Sequence, residues 1–184
     1  MLVLASASPR RRELLAQAGL HFICRSADVD ESLHAGEAPA ETVRRLARAK
    51  AAAVAPEFPH QTILGADTLV VLAGEPLGKP ASLTAAHAML RRLAGRTHQV
   101  MTGVCLLRLQ PPHEESWTTL TEVTFRPLDD AAIAEYLRRV HVLDKAGAYA
   151  IQEEGDRLVA AVRGPRSNVI GLPVEELLRR LRPG

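Results

Sequence analysis

The most restrictive feature of the sequence is its alternation of short apolar segments with amphipathic or alanine-rich segments. The apolar segments, typical of β-strands, lie at residues 3–5, 21–26, 62–72, 98–109, 117–126 and 158–162. Helical patterns cover 9–18, 39–55, 82–93, 129–140 and a terminal stretch that follows Pro173. Strands that alternate with helices favour a mixed α/β fold. We see no internal repeat or linker, so we expect one domain over residues 1–184.

Composition and charge narrow the class of protein. With 47% hydrophobic and 24% charged residues, the chain has the balance of a globular domain with a real core. A net charge of +2 and an aromatic content of 3% argue against a nucleic-acid partner. Cys24 and Cys105 form no metal-binding spacing and are expected to be reduced, buried thiols. No long apolar run is present, so we expect a cytoplasmic protein without a membrane partner.

The stretch LASASPRRRELL places three arginines at a predicted helix start. Ser8 suits the N-cap and Pro9 suits the first helical position. The free N–H groups of a helix N-terminus carry partial positive charge, so Arg10 and Arg11 add repulsion there. A bound polyanion such as phosphate would offset this repulsion. The alternative is a solvated basic patch, and Arg12 is assigned to the surface.

Three further residues place charge in or beside apolar segments. Asp67 lies within ILGADTLVV, either as a buried carboxylate that needs a cation or as a residue that turns the chain after Gly65. Lys50 falls on the predicted core-facing side of the alanine-rich helix, where it either extends to water or reaches a phosphate. Glu31 lies in a polar loop, for which a solvated position is the simpler interpretation.

Two lysines occur in loops with neighbouring glycines, where backbone can approach a ligand closely. Lys79 lies in GEPLGKP, which is one residue short of a Walker A loop and has Pro80 at the magnesium-binding position, so a P-loop is rejected. Lys145 lies in DKAGAY. Carboxylates combined with several Lys and Arg indicate metal-assisted chemistry on a phosphate chain, with Mg²⁺ or Mn²⁺ as the cation. The residues alone leave the substrate and the cleaved bond open.

The motifs taken in order resemble the Maf family of nucleoside triphosphate pyrophosphatases. The resemblance spans nearly the whole chain and rests on LASASPRR, VDE, ARAKA, GADTLVV, LGKP, HQVMTG, DKAGAYAIQ and NVIGLP. It implies a mixed twisted sheet flanked by helices, with two lobes around a central cleft. It also implies a homodimer that hydrolyses a nucleoside triphosphate to the monophosphate and pyrophosphate with a divalent metal.

The resemblance also implies roles for individual residues. Asp67 matches the general base that activates water for attack at the α-phosphorus. Together with Asp67, the residues matched to catalysis are Glu31, Lys50 and Lys79, and Glu31 and Asp67 are the implied metal ligands. The residues matched to substrate binding are Ser8, Arg10, Arg11, Thr68, Lys145 and Gln152.

Arg10, Thr68 and Gln152 match the branch of the family that acts on dTTP and UTP. The sister branch, which prefers 7-methyl-GTP, typically has Trp at the first of these positions, so that activity is the alternative. A nucleotide-binding regulator of cell division is a second alternative. Pro165 and Arg166 depart from a common small-or-polar, then aromatic pattern, and Ala150 replaces a more usual glycine.

Overall fold

The computed structural model describes residues 1–181. The strands are β1 (Leu2–Leu4), β2 (Phe22–Cys24), β3 (Thr62–Leu72), β4 (Glu75–Leu77), β5 (Thr97–Arg108), β6 (His113–Phe125) and β7 (Val159–Arg163). The helices are α1 (Pro9–Gln17), α2 (Pro39–Val54), α3 (Leu83–Leu93), α4 (Asp130–Arg139), α5 (Gly155–Leu158), α6 (Arg166–Ile170) and α7 (Val174–Leu181). Short 3₁₀ turns follow at Ala55–Glu57 and Ala146–Ala148. None of the helices in the described range is long and apolar enough to cross a membrane.

All seven strands join one mixed sheet, in the order β2-β1-β3-β5-β6-β7, with β4 attached to β3. Strand β1 is parallel to β2 and β3, whereas the other pairings are antiparallel. One edge of β3 pairs with β5 from Ile63 to Val71. The other edge pairs with β1 over Thr62–Leu64 and with β4 over Val70–Leu72. Residues 65–69 therefore keep one strand edge open between β1 and β4.

Helix α2 lies directly on one face of the sheet because two glycines leave room for its backbone. A Cβ at Gly65 would lie 2.0 Å from the carbonyl oxygen of Ala47, and one at Gly103 would lie 2.2 Å from that of Val43. Gly103 is also the residue of β5 that pairs with Asp67 of β3. The close approach therefore places Lys50, the next inward-facing residue of α2, beside Asp67.

The opposite face carries two separate cores, one for each lobe. At one end, α1 and α7 pack on β1, β3 and β5, with the core residues Leu4, Leu15, Leu64, Leu106 and Leu177. At the other end, α3 and α4 pack on β3, β5 and β6, with the core residues Leu90, Phe125, Ile133, Tyr136 and Leu158. The predicted mixed sheet with flanking helices in two lobes is confirmed.

Two local predictions are wrong. Cys24 is exposed rather than buried, because β2 is the outermost strand of the sheet, while Cys105 is buried as expected and both thiols are free. The sequence pattern also predicted no strand between residues 72 and 98, where β4 forms a hairpin with β3. Ala73 and Gly74 reverse the chain with φ values of 52° and 83°, and β4 follows them.

Candidate active site

The open edge of β3 lies between two loops that the sequence analysis singled out. After β1, the amide of Ala5 still bonds to the carbonyl of Leu64 (2.9 Å), and the chain then turns into α1. Ser8 caps α1 by accepting a hydrogen bond from the amide of Arg11 at 3.5 Å. On the other side, the loop after β4 is tied to the Lys145 loop by a bond from Gly147 N to Gly78 O (3.1 Å). The site thus lies at the open edge of β3 between these two loops, and we refer to the space between them as the cleft.

A lysine joins the two predicted catalytic carboxylates. Lys50 Nζ lies 2.7 Å from Asp67 Oδ1 and 2.6 Å from Glu31 Oε1. Lys50 and Asp67 are buried, with 7% and 8% exposure, which is tolerable because their charges are paired. Asp67 lies within β3 and does not turn the chain, and the Lys50 side chain faces the core instead of extending to water.

Glu31 is half exposed, with 51% of its side chain accessible, yet it is not merely a solvated loop residue. Partial burial acts to raise its pKa, but the hydrogen bond from Lys50 and the charges of Lys50, Lys79 and Arg11 prevail and lower the pKa. Glu31 therefore stays ionised next to Lys50. It brings a second carboxylate to the cleft from a loop that belongs to no strand or helix.

The two carboxylates fit a Mg²⁺ or Mn²⁺ site of a particular kind. Within residues 1–181 no group of three or more His, Cys, Asp and Glu side chains could hold a metal ion. Magnesium, however, is commonly bound by one or two carboxylates while waters and substrate phosphates supply its other ligands. Glu31 and Asp67 match that donor set.

Arg11 is the buried centre of a second polar network. Its Nε donates to Gly171 O (2.8 Å), Nη1 to Ser6 Oγ (3.3 Å) and Nη2 to Thr68 Oγ1 (3.1 Å). Burial lowers the pKa of the Arg11 guanidinium, although the nearby charges of Asp67 and Glu31 act in the opposite direction. Since a guanidinium has five N–H donors, one N–H on each terminal nitrogen is left for a ligand. Arg11 is thus an anchored cation at the cleft.

The other two arginines of α1 differ in position. Arg10 is half-buried, and its positive charge is among the influences on Asp144, at the far side of the cleft. Burial acts to raise the pKa of Asp144, but Lys145 and Arg10 together lower it. Arg12 is exposed, as predicted.

The remaining predicted residues lie on the second lobe and make no hydrogen bond or ion pair to the Lys50 cluster. Lys79 is exposed and has no ion-pair partner among residues 1–181. Lys145 is buried, where its Nζ donates to His141 O and to Asp144 Oδ1 (3.0 Å) and lies 3.6 Å from Glu153 Oε1. Its ammonium is therefore held internally.

Gln152 is exposed and follows the buried residue Ile151. Ala150, where the family more often has glycine, is held by Tyr136. The Ala150 amide donates to the Tyr136 hydroxyl at 3.0 Å, and that hydroxyl points back to Ala150 O at 3.5 Å. Burial raises the pKa of Tyr136 to about 12, so the hydroxyl keeps its proton. The methyl group of Ala150 is accommodated in this buried position.

Sequence reasoning singled out Thr68 but missed the chain of polar contacts that begins at its hydroxyl beneath the cleft. Thr68 Oγ1 contacts Thr102 Oγ1 (3.0 Å), which donates to Asn168 O (3.2 Å). The side-chain amide of Asn168 donates to Val100 O and to Thr121 Oγ1, both at 3.0 Å. The available signal was threonine at inward-facing positions of apolar strands. Threonines without a special role are also common at such positions, so the sequence pattern alone does not predict these contacts.

His98, in the HQVMTG motif, is a structural residue of the second lobe. Its Nε2 lies 2.8 Å from the hydroxyl of Tyr149, and its ring packs edge-on against Phe125 and Tyr149. Burial lowers the pKa of His98 to about 4, so the ring is neutral near pH 7. It supports the loop that carries Lys145 and Gln152.

Comparison with known proteins finds relatives of this chain in fold and in sequence. The Ham1 protein of Staphylococcus aureus shares the fold, with a TM-score of 0.56 and 17% identity over 98% of this chain and 97% of that one. Among curated proteins, the dTTP/UTP pyrophosphatase of Myxococcus xanthus is 53% identical over 98% of this chain and 91% of its own length. The dTTP/UTP pyrophosphatase of Akkermansia muciniphila is 47% identical, covering 98% and 94% respectively.

A family model described as "Maf-like protein" matches residues 1–183. This match confirms the resemblance that the ordered motifs indicate. The chain belongs to the Maf family.

Proposed function

We propose that this chain is a nucleoside triphosphate pyrophosphatase that hydrolyses dTTP and UTP to the monophosphate and pyrophosphate. The observation that carries the proposal is the contact of Lys50 with Asp67 and Glu31 at the open edge of β3, between a basic helix start and the Lys79 loop. The relatives named dTTP/UTP pyrophosphatase support the choice of substrate.

The phosphate chain of the substrate lies between the two lobes. On one side it meets the N-terminal amides of α1 together with the remaining N–H donors of Arg11 and the charge of Arg10. On the other side it meets Lys79, whose ammonium has no ion-pair partner in the described chain. These cations offset the charge of the triphosphate and of the departing pyrophosphate.

Asp67 acts as the general base. Its Oδ1 is held by Lys50, while its Oδ2 accepts no hydrogen bond from residues 1–181 and can accept one from water. In the reaction a water oxygen bonds to the α-phosphorus as the bond to the bridging oxygen of the pyrophosphate breaks. The proton of that water passes to Asp67. Lys50 acts by orienting the carboxylate, since its second contact to Glu31 restrains the ammonium.

Glu31 and Asp67 are the residues that would hold a divalent metal. When bound, Mg²⁺ or Mn²⁺ supplies further charge neutralisation on the phosphate oxygens. Lys50 keeps the two carboxylates at one place, so their repulsion is already offset when substrate arrives.

Gln152 reads the base. A side-chain amide offers both donors and an acceptor, which matches the O4 and N3–H edge that uracil and thymine share. Cytosine presents an amino group and an unprotonated ring nitrogen at the same edge. Selection of dTTP and UTP over CTP requires that the amide keep one orientation, because an amide turned by about 180° would match cytosine instead. A homodimeric assembly and a cytoplasmic location remain predictions from the sequence.

The test is an assay of the purified protein with Mg²⁺ or Mn²⁺ and a panel of dTTP, UTP, CTP, dGTP and 7-methyl-GTP. Pyrophosphate and orthophosphate are quantified separately. Pyrophosphate from dTTP and UTP in preference to the others is the expected result. Preference for 7-methyl-GTP would assign the chain to the sister activity. Tight nucleotide binding without turnover would instead indicate a regulatory binding protein.

A further inference from the structure

The short helix α6 is fixed firmly to the sheet between the two ends of the cleft. The Thr121 hydroxyl donates to Pro165 O (3.0 Å), and the Asn168 amide binds β5 and β6 from a fully buried position. Ser167 is also buried, and its hydroxyl accepts the amide of Val174 at 3.2 Å. Immediately after α6, Gly171 O accepts the hydrogen bond from Arg11. The segment 165–171 is therefore a rigid platform beside Arg11, where the phosphate chain is proposed to bind.

Arg166, the first residue of α6, reaches from this platform to the loop around Ile151 and Gln152. The residue is exposed, and its Nη2 donates to Ile151 O at 3.1 Å. This bond crosses from the platform to the loop that contains Gln152. Because the donor is a guanidinium, the bond is charge-assisted.

The bonded carbonyl belongs to the peptide unit that joins Ile151 to Gln152. A peptide unit is planar, so a bond that fixes its C=O also fixes its N–H and the direction in which the next Cα lies. Tyr136 holds the preceding residue, Ala150, through two hydrogen bonds. Downstream, Glu153 and Glu154 are exposed. Arg166 thus restrains the loop at the last point before Gln152.

We infer that Arg166 is a positioning residue for base recognition: by holding Ile151 O it sets the orientation of Gln152. This inference rests on the proposed function, since it assumes that Gln152 contacts the pyrimidine. Pro165 and Arg166 depart from the common family pattern. In this chain Arg166, at the start of the firmly held helix α6, restrains the loop that contains Gln152.

The test compares Arg166→Ala, Arg166→Lys and the control Arg163→Ala. Arg163 is an exposed arginine of β7 whose side chain makes no hydrogen bond to residues 1–181. For Arg166→Ala we expect KM for dTTP and UTP to rise about fivefold and the preference over CTP to fall by about the same factor, as loss of one such bond implies. We expect kcat to stay near the wild-type value. Arg166→Lys retains a charged donor and restores part of the preference.

Two readouts separate positioning from a general structural defect. The inhibition constant of inorganic tripolyphosphate, which has no base, stays unchanged in Arg166→Ala. In a double-mutant cycle with Gln152→Ala, the effect of removing Arg166 on KM largely disappears, because it acts through Gln152.

Additive effects in that cycle, or an unchanged preference for UTP over CTP in Arg166→Ala, would overturn the inference. A weaker binding of tripolyphosphate equal to the change in KM would also overturn it, since the defect would then not concern the base. If the wild-type protein releases no pyrophosphate from any nucleotide, the proposed function itself fails, which is a distinct outcome.

Discussion

The side chains of Asp67 and Thr68, neighbours on β3, lie on opposite faces of the sheet. Asp67 contacts Lys50 of α2, whereas Thr68 accepts a hydrogen bond from Arg11 of α1. Consecutive strand residues alternate between the two faces of a sheet in this way. Here both lie next to the open edge at residues 65–69. A substrate at that edge is reached by a catalytic group from one face and by an anchored cation from the other.

Asp67→Asn is expected to remove most turnover without unfolding the protein. An amide cannot take the proton of the attacking water, and a lost general base costs about 10²–10⁴ in rate. The fold is retained because Lys50 keeps its contact with Glu31. Pyrophosphate release measures the first effect and thermal unfolding the second. The control is Asp130→Asn, an exposed carboxylate that is also ion-paired to an arginine. Full activity of Asp67→Asn would exclude Asp67 as the base.

Lys79→Ala is expected to raise KM for the nucleotide about tenfold, which corresponds to about 1.4 kcal/mol for one lost contact to phosphate. The free energy of unfolding should change by less than about 0.5 kcal/mol, because Lys79 is exposed and lacks an ion-pair partner in the described chain. Arg12→Ala, which removes an exposed cation from α1, is the matched control and should leave KM unchanged. Equal KM values for Lys79→Ala and the wild type would rule out the phosphate role.

Removal of divalent metal by a chelator is expected to stop turnover and to leave the unfolding temperature unchanged. Lys50 already bridges Glu31 and Asp67 and offsets one of their two negative charges, so the fold does not depend on a bound metal to hold them together. Added Mg²⁺ or Mn²⁺ should restore activity. Undiminished turnover in excess chelator would show that the two carboxylates do not serve as metal ligands.

His98 is expected to make the fold sensitive to acid. Burial lowers its pKa from 6.5 to about 4, so between these values the unfolded chain binds a proton that the folded protein excludes. The stabilisation of the folded state by a neutral, buried His98 is therefore fully present above pH 6.5. It is lost as the pH falls toward 4. At about 1.4 kcal/mol per pKa unit, the loss reaches about 3 kcal/mol.

Urea unfolding at several pH values tests this expectation. His98→Gln should show a shallower fall in stability between pH 6.5 and 4 than the wild type. His60→Gln, which replaces an exposed histidine, should keep the wild-type slope. Identical slopes for all three proteins would contradict a buried neutral His98.

Sequence periodicity predicted the elements that position the site because they are long. The pattern of α2 placed Lys50 among Val43, Leu46 and Val54 on the buried side, and the structure places it there. The short helices α5 and α6 were not predicted, since four and five residues are too few to show a period. The position of Arg166 was accordingly not foreseen.

Contacts between distant residues lay outside what local patterns can predict. Nothing near Glu31 indicates that its loop returns to Lys50, and the simpler expectation of a solvated residue was only half right. The repulsion among the arginines at α1 indicated a bound anion, but Arg11 is partly compensated within the protein, because Gly171 O accepts its Nε–H. This acceptor lies 160 positions away in the sequence, so local patterns could not predict it. The roles assigned to these residues in substrate binding and catalysis stay predictions.

The most direct measurement is hydrolysis of UTP in water enriched in heavy oxygen, with the products analysed by mass spectrometry. Attack at the α-phosphorus by water activated at Asp67 predicts one heavy oxygen in UMP and none in pyrophosphate. Label in pyrophosphate, or release of labelled orthophosphate, would contradict this account of the cleft.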